Sequence, residues 1–153
     1  MMLDSIMTRH VVTVGMDDSL ESVQNLFDKF RFHHVVVLDN CRVVGVISDR
    51  DLLKNISPFV GKPTERAIDA ASARKRVHQV MSRHIVTANP DMSAGDATLL
   101  MLNSKVSCLP VLDSHGACVG IVTLRDLLRW ALAHLSDNAC PTKLRHDAQN
   151  KAA

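Results

Sequence analysis

The chain has 153 residues, 46% of them hydrophobic and 3% aromatic, with one Trp, no Tyr and a formal net charge of +2. That length suits one compact domain or two small halves sharing a core. So small a charge, with so few aromatic rings, argues against a nucleic-acid-binding protein, which needs a basic surface or base-stacking side chains.

In chain order, Val11 to Val14 is a short β-branched run that predicts a strand. Asp18 and Glu21 then offer an N-cap and an N3 carboxylate for a helix. Leu20, Val23, Leu26, Phe27 and Phe30 follow at helical spacing, on one apolar face. Val35 to Leu38 has no polar alternation, as in a strand buried on both faces. Asp39-Asn40 marks a turn, Val43 to Ile47 the return strand, and Arg50-Asp51-Leu52-Leu53 the opening of another helix.

The same order then recurs. Ser93 and Asp96 form a capping pair, and Ala97, Leu100 and Met101 an apolar helix face. Leu109 to Leu112 reads as a strand, Ser114-His115-Gly116 as a turn, and Cys118 to Val122 as the return strand. Leu127 to Leu132 is the closing helix. Pro110 is a local departure that suits a strand start or an edge. Residues 57–76, with Pro58, Gly61, Pro63 and an alanine-rich stretch, read as a linker, and residues 137–153 as a flexible tail.

The recurrence is a duplication. Met7-Thr8-Arg9-His10-Val11-Val12-Thr13 returns as Met81-Ser82-Arg83-His84-Ile85-Val86-Thr87, and Gly45-Val46-Ile47-Ser48-Asp49-Arg50-Asp51-Leu52-Leu53 returns as Gly120-Ile121-Val122-Thr123-Leu124-Arg125-Asp126-Leu127-Leu128. Such self-similarity fixes the architecture before any local assignment.

Cys41, Cys108, Cys118 and Cys140 form no CxxC pair, and His10, His84, His33 and His34 show no zinc-ligand spacing, so no metal is expected. No Gly-x-Ser-x-Gly and no glycine-rich phosphate loop is present, so no catalysis is expected. The sequence shows no signal-peptide pattern and no apolar run near the roughly 20 residues that span a bilayer. A cytoplasmic protein is the expectation, with its thiols reduced.

The duplicated unit, closing in Gly-h-h-[Ser/Thr]-x-x-Asp with Val-Leu-Asp at 37–39 and 111–113, resembles the CBS domain, and the tandem resembles a CBS pair, or Bateman module. The resemblance covers about residues 3–132, with repeats at 3–56 and 77–132. It implies an α+β fold of two tandem repeats, each a small sheet packed with helices, related by pseudo-twofold symmetry. It implies two clefts that take an adenosine compound such as AMP, ADP or ATP, and a regulatory role without catalysis. It further implies a homodimer and an unidentified effector protein; the competing reading is a ligand-free assembly protein.

Carried over residue by residue, Ser48 with Asp51 faces the ribose in one cleft, and Thr123 with Asp126 in the other. A carboxylate can accept from both ribose hydroxyls, each such charged bond contributing roughly 1.5–3 kcal/mol. Arg50 and Arg125 are the phosphate candidates. Adenine is expected against Thr13, Val14, His34, Val35 and Val36 in the first cleft, and against Thr87, Ala88, Cys108, Leu109 and Pro110 in the second. Asp49, where the second copy has Leu124, and Val36, where it has Pro110, make the Asp126 corner the stronger expected site.

Overall fold

The computed structural model describes residues 1–136; the expected tail from residue 137 lies outside them. The first half holds β1 (Thr13–Gly15), α1 (Leu20–Phe30), β2 (His34–Asp39), β3 (Arg42–Ser48) and α2 (Asp49–Asn55). Then come α3 (Ala67–Ala73), α4 (Ala94–Ser104), β4 (Cys108–Leu112), β5 (Cys118–Thr123) and α5 (Leu124–Ser136). The first sheet runs β1-β2-β3, with β1 parallel and β3 antiparallel to β2; the second is the antiparallel pair β4-β5. Among the described residues no helix is long and apolar enough to cross a membrane.

The β2 core is as apolar as its sequence implies: Val35, Val36 and Val37 are all fully buried. The cap of α1 differs from expectation. Ser19, not Asp18, accepts the N–H of Ser22, while Asp18 turns back to accept the N–H of Gly15 at 2.8 Å. A hydroxyl on the residue abutting the helix reaches the orphan N–H with less strain than a carboxylate one residue earlier. Ser93 caps α4 as expected, accepting the N–H of Asp96. On α1, Leu20, Val23 and Phe27 are buried, whereas Phe30 is half exposed and stacks on Phe32 with ring centroids 5.8 Å apart.

The second repeat lacks a counterpart of β1, and Pro110 explains why. Ala88 N–H donates to the Pro110 carbonyl at 3.0 Å, and Leu112 N–H to the Ala88 carbonyl at 2.9 Å. The next rung, towards Val86, would need an N–H at residue 110, and proline has none. Val36 occupies the matching place in β2 and pairs with Thr13, so β1 forms there.

The stretch between the repeats is more ordered than its composition suggests. Its alanines form α3, and Asp69 is buried, accepting from the Ser57 hydroxyl at 2.6 Å and from the Arg66 backbone N–H at 2.9 Å. These bonds hold the Asp69 carboxyl below the usual carboxylate range.

Each repeat lends its opening segment to the other's core. Leu3 and Met7 pack with Ala97, Met101, Leu109 and Val122, whereas Val77 and Met81 pack with Leu20, Val23, Val35 and Ile47. The backbone repeats the exchange: Thr8 and Ile121 trade two hydrogen bonds at 2.9 Å, and Ser82 and Val46 trade two at 2.9 and 3.1 Å. The sequence repeat and the physical core are therefore different units. Between them lies a seam formed by Val36, Cys108 and Ile121, with Val11, Val46 and Cys118 packed around it.

Candidate functional site

The exchange of opening segments decides which residues face one another. At the β3–α2 corner, Ser48 accepts the N–H of Asp51, and Asp51 Oδ2 accepts both the Ser48 N–H at 3.0 Å and its hydroxyl at 2.6 Å. The β5–α5 corner is its equivalent. There Asp126 Oδ2 accepts the Thr123 N–H at 2.9 Å and its hydroxyl at 2.6 Å. Both carboxylates thus spend Oδ2 on ordering the helix start, and Oδ1 takes no part in that arrangement. Asp126 Oδ1 lies 3.9 Å from Arg129 Nη1, with the Asp126 side chain only 16% exposed.

Among the described residues two clefts open between the repeats, one lined by Asp126 and the other by Asp51. The larger, about 730 Å³, contains Thr123 and Asp126. Facing them, from the first repeat, are His10, Val11, Val12, Phe32, His33 and His34. The smaller, about 210 Å³, contains Ser48 and Asp51, faced by His84, Ile85, Val86, Val106, Cys108 and Pro110 of the second repeat. The expected pairing of each corner with its own repeat's strands is therefore corrected. Because Thr8 is bridged to Ile121 and Ser82 to Val46, each opening segment runs past the other repeat's corner.

Several expected wall residues line neither cleft. Val35, Val36 and Leu109 are fully buried, Val14 and Ala88 are buried, and Thr13 and Thr87 are exposed away from both openings. The walls come instead from His10 to Val12, just before β1, and from His84 to Val86, the matching segment of the second repeat. His34, Cys108 and Pro110 do reach a cleft, and His34 and Ser48 line both.

Arg125 lines the larger cleft beside Asp126, and so does Arg50, away from the Asp51 it adjoins in sequence. Consecutive helix positions point about 100° apart, so Arg50 and Asp51 leave α2 towards different clefts.

Sequence reasoning passed over Arg31, Lys105 and Arg129 as site residues. Arg31 and Lys105 occupy equivalent left-handed positions after α1 and α4, each with φ 55°, and each lines one cleft. Their signal was available: both are basic residues at matching places in the duplication. The recurring pair His10 and His84 likewise lines the two clefts, one in each. Among the described residues no group of three or more His, Cys, Asp or Glu side chains converges as metal ligands.

Polar links bridge the repeats at the cleft floor. His34 Nε2 hydrogen-bonds Ser107 Oγ at 2.9 Å, and burial lowers the His34 pKa from its ordinary value despite the nearby Asp49 carboxylate. His33 Nδ1 lies 2.6 Å from Asp49 Oδ2, while Arg125 Nη2 donates to His33 Nε2 at 3.3 Å. Cys108 is buried, and its thiol is pushed up to about 12, so this wall stays neutral.

The chain is 33% identical over 151 residues to the uncharacterized protein MJ1426 of Methanocaldococcus jannaschii, covering 84% of this chain and 89% of that protein. It is 30% identical over 127 residues to the inosine-5'-monophosphate dehydrogenase of the same organism, covering 82% of this chain but only 23% of the enzyme. Among solved structures, the CBS domain pair of protein MJ0100 in complex with 5'-methylthioadenosine and S-adenosyl-L-methionine superposes with a TM-score of 0.73 at 22% identity, over 88% of this chain and 98% of that one. CBSX2 in complex with AMP gives a TM-score of 0.70 at 26% identity, over the same shares of the two chains. The CBS domain family matches residues 3–58 and again 77–133, and with both halves of the duplication accounted for, this chain belongs to the CBS-domain family as a tandem pair.

Proposed function

We propose that this chain is a regulatory module that binds an adenosine nucleotide, AMP, ADP or ATP, between its repeats and has no catalytic activity of its own. The observation that carries the reading is the Thr123–Asp126 corner. Its Oδ2 is committed to the helix start, and its Oδ1 remains to accept from a ribose at the wall of a cleft of about 730 Å³. That volume lies in the usual range for small-molecule sites. Val11, Val12, Phe32 and Ile121 supply apolar walls for a base, and the arginines supply partners for phosphate. The adenosine compounds held by the MJ0100 pair and by CBSX2 support the same reading. A ligand touching both repeats would bias their relative orientation, which an effector protein could read.

A thermal-shift panel tests it: purified, nucleotide-stripped protein with AMP, ADP, ATP, S-adenosylmethionine and NAD. A ligand at a hundred times its Kd adds about 2.7 kcal/mol of stability. No shift with any of them would sink the proposal.

The second reading, a ligand-free assembly protein, has its own observation. Leu99 and Leu102 on α4 and Leu128 and Leu135 on α5 are 56–64% exposed, a concentration of large apolar side chains that suits association. Homodimerisation through these helix faces is compatible with either reading, and sedimentation analysis measures it directly. We assign the chain to the cytoplasm, in keeping with the free thiols of Cys41, Cys108 and Cys118.

A further inference from the structure

The two clefts have the same ancestry but different charge, the larger being cationic and the smaller balanced. Four arginines line the larger one, Arg31, Arg50, Arg125 and Arg129, against the carboxylates of Asp49 and Asp126. The smaller has Lys105 against Asp51. From this contrast we infer that the larger cleft is built for a polyphosphate chain, so that it selects a nucleoside di- or triphosphate over a monophosphate or a nucleoside. The inference rests on the adenosine-nucleotide reading of that cleft and adds the phosphate number.

The two carboxylates do not cancel the four guanidiniums. Asp49 is held by His33 at 2.6 Å, and Asp126 is held through Oδ2 by Thr123, with only a loose 3.9 Å approach to Arg129. Among the described residues Arg31 and Arg50 make no ion pair and no side-chain hydrogen bond. Arg125 has only the 3.3 Å bond to His33 Nε2. The His33 imidazole is a weaker partner for a guanidinium than a phosphate oxygen, so this bond leaves Arg125 available to a phosphate.

The placement of the cations also exceeds what one phosphate uses. A terminal phosphate has three oxygens, and a guanidinium fork takes two of them, so one or two arginines saturate it. Here the four come from the end of α1, from α2 and from two turns of α5, hence from both repeats. Unpaired like charges sharing one cleft repel, and a chain of phosphates laid across them relieves the repulsion along its length. The smaller cleft, at about 210 Å³ and with one cation, offers neither the room nor the charge.

The test is calorimetry on the full, nucleotide-stripped chain in magnesium-free buffer at fixed salt, with adenosine, AMP, ADP, ATP and inorganic tripolyphosphate. Affinity is expected to rise by about tenfold with each added phosphate, the scale of one further charged hydrogen-bonded contact. In the double variant Arg31→Asn/Arg50→Ala, ATP should lose most of its advantage over AMP. Asn is chosen at residue 31 because it tolerates the left-handed backbone there, and circular dichroism confirms that the variant is folded. AMP binding as tightly as ATP, or an ATP advantage that survives in the folded double variant, would overturn the inference while leaving the nucleotide reading intact. Tripolyphosphate binding that is lost in the variant, with no nucleotide bound, would keep the polyphosphate site and remove the adenosine. Loss of both ligands in the wild-type chain removes both proposals.

Discussion

Met7, from the opening segment of the first repeat, lies so close over Gly120 of the second that a Cβ at Gly120 would come within 2.5 Å of Met7 Sδ. Met81 covers Gly45 in the same way, at 2.6 Å. The methionine that opens each copy of the duplicated pattern thus rests on the glycine that closes the other copy. The two ends of the pattern are complementary surfaces of one exchanged joint.

This contact predicts coupled substitutions. Gly120→Ala should destabilise the protein by about 1–3 kcal/mol through overpacking, and Met7→Ala by about 2–5 kcal/mol through the cavity it leaves. The double variant should cost clearly less than their sum, because shortening Met7 makes room for the new methyl. A backbone carbonyl borders each glycine as well, Ser82 at 3.0 Å from a Cβ on Gly45 and Thr8 at 3.3 Å from one on Gly120, so Met81→Ala should relieve Gly45→Ala less than Met7→Ala relieves Gly120→Ala. Urea denaturation of the two cycles measures this, and additive costs at the Met7 joint would show that the pair does not share the contact.

The same joint shows what could and could not be read from the chain. Duplication, the β2–β3 and β4–β5 hairpins and the buried β2 run were legible because hydrophobic periodicity and turn chemistry are local. The Ser48/Asp51 and Thr123/Asp126 corners were legible because the closing motif that carries the family resemblance repeats them at the same spacing in both copies. The partnership across each cleft was not, since the Thr8–Ile121 and Ser82–Val46 bridges are long-range and leave no local trace. Hence Asp126 was expected opposite Thr87 and Ala88, and it faces His10 to Val12 instead. The order in residues 57–76 was hidden for a related reason: it depends on Ser57 reaching Asp69 twelve residues on.

The Thr123–Asp126 pair combines a structural duty with the proposed ribose contact, and two substitutions separate them. Thr123→Val removes the hydroxyl that Asp126 Oδ2 accepts at 2.6 Å and should cost about 1 kcal/mol of stability, with little change in nucleotide affinity. Asp126→Asn keeps the shape but removes the charge, and should weaken nucleotide binding by about tenfold or more. Thermal unfolding and calorimetry on both variants provide the readouts. Equal losses of affinity in the two would mean that Asp126 acts only by ordering the start of α5.

His34 gives the fold a predictable response to acid. Burial lowers its pKa from the ordinary 6.5, an effect that Asp49 and Asp51 only partly oppose. Between 6.5 and that lowered value the unfolded chain binds a proton at this site that the folded chain does not. Stability therefore rises with pH across the window, is lost as pH falls through it, and levels off below it as far as this residue is concerned. His34→Gln keeps a group able to hydrogen-bond Ser107 but removes the titration. The variant's stability, followed by urea denaturation from pH 7 down to pH 5, should therefore fall less steeply than that of the wild-type chain. Parallel curves for the two proteins would place the acid sensitivity in other histidines and leave the His34–Ser107 bridge without a role in it.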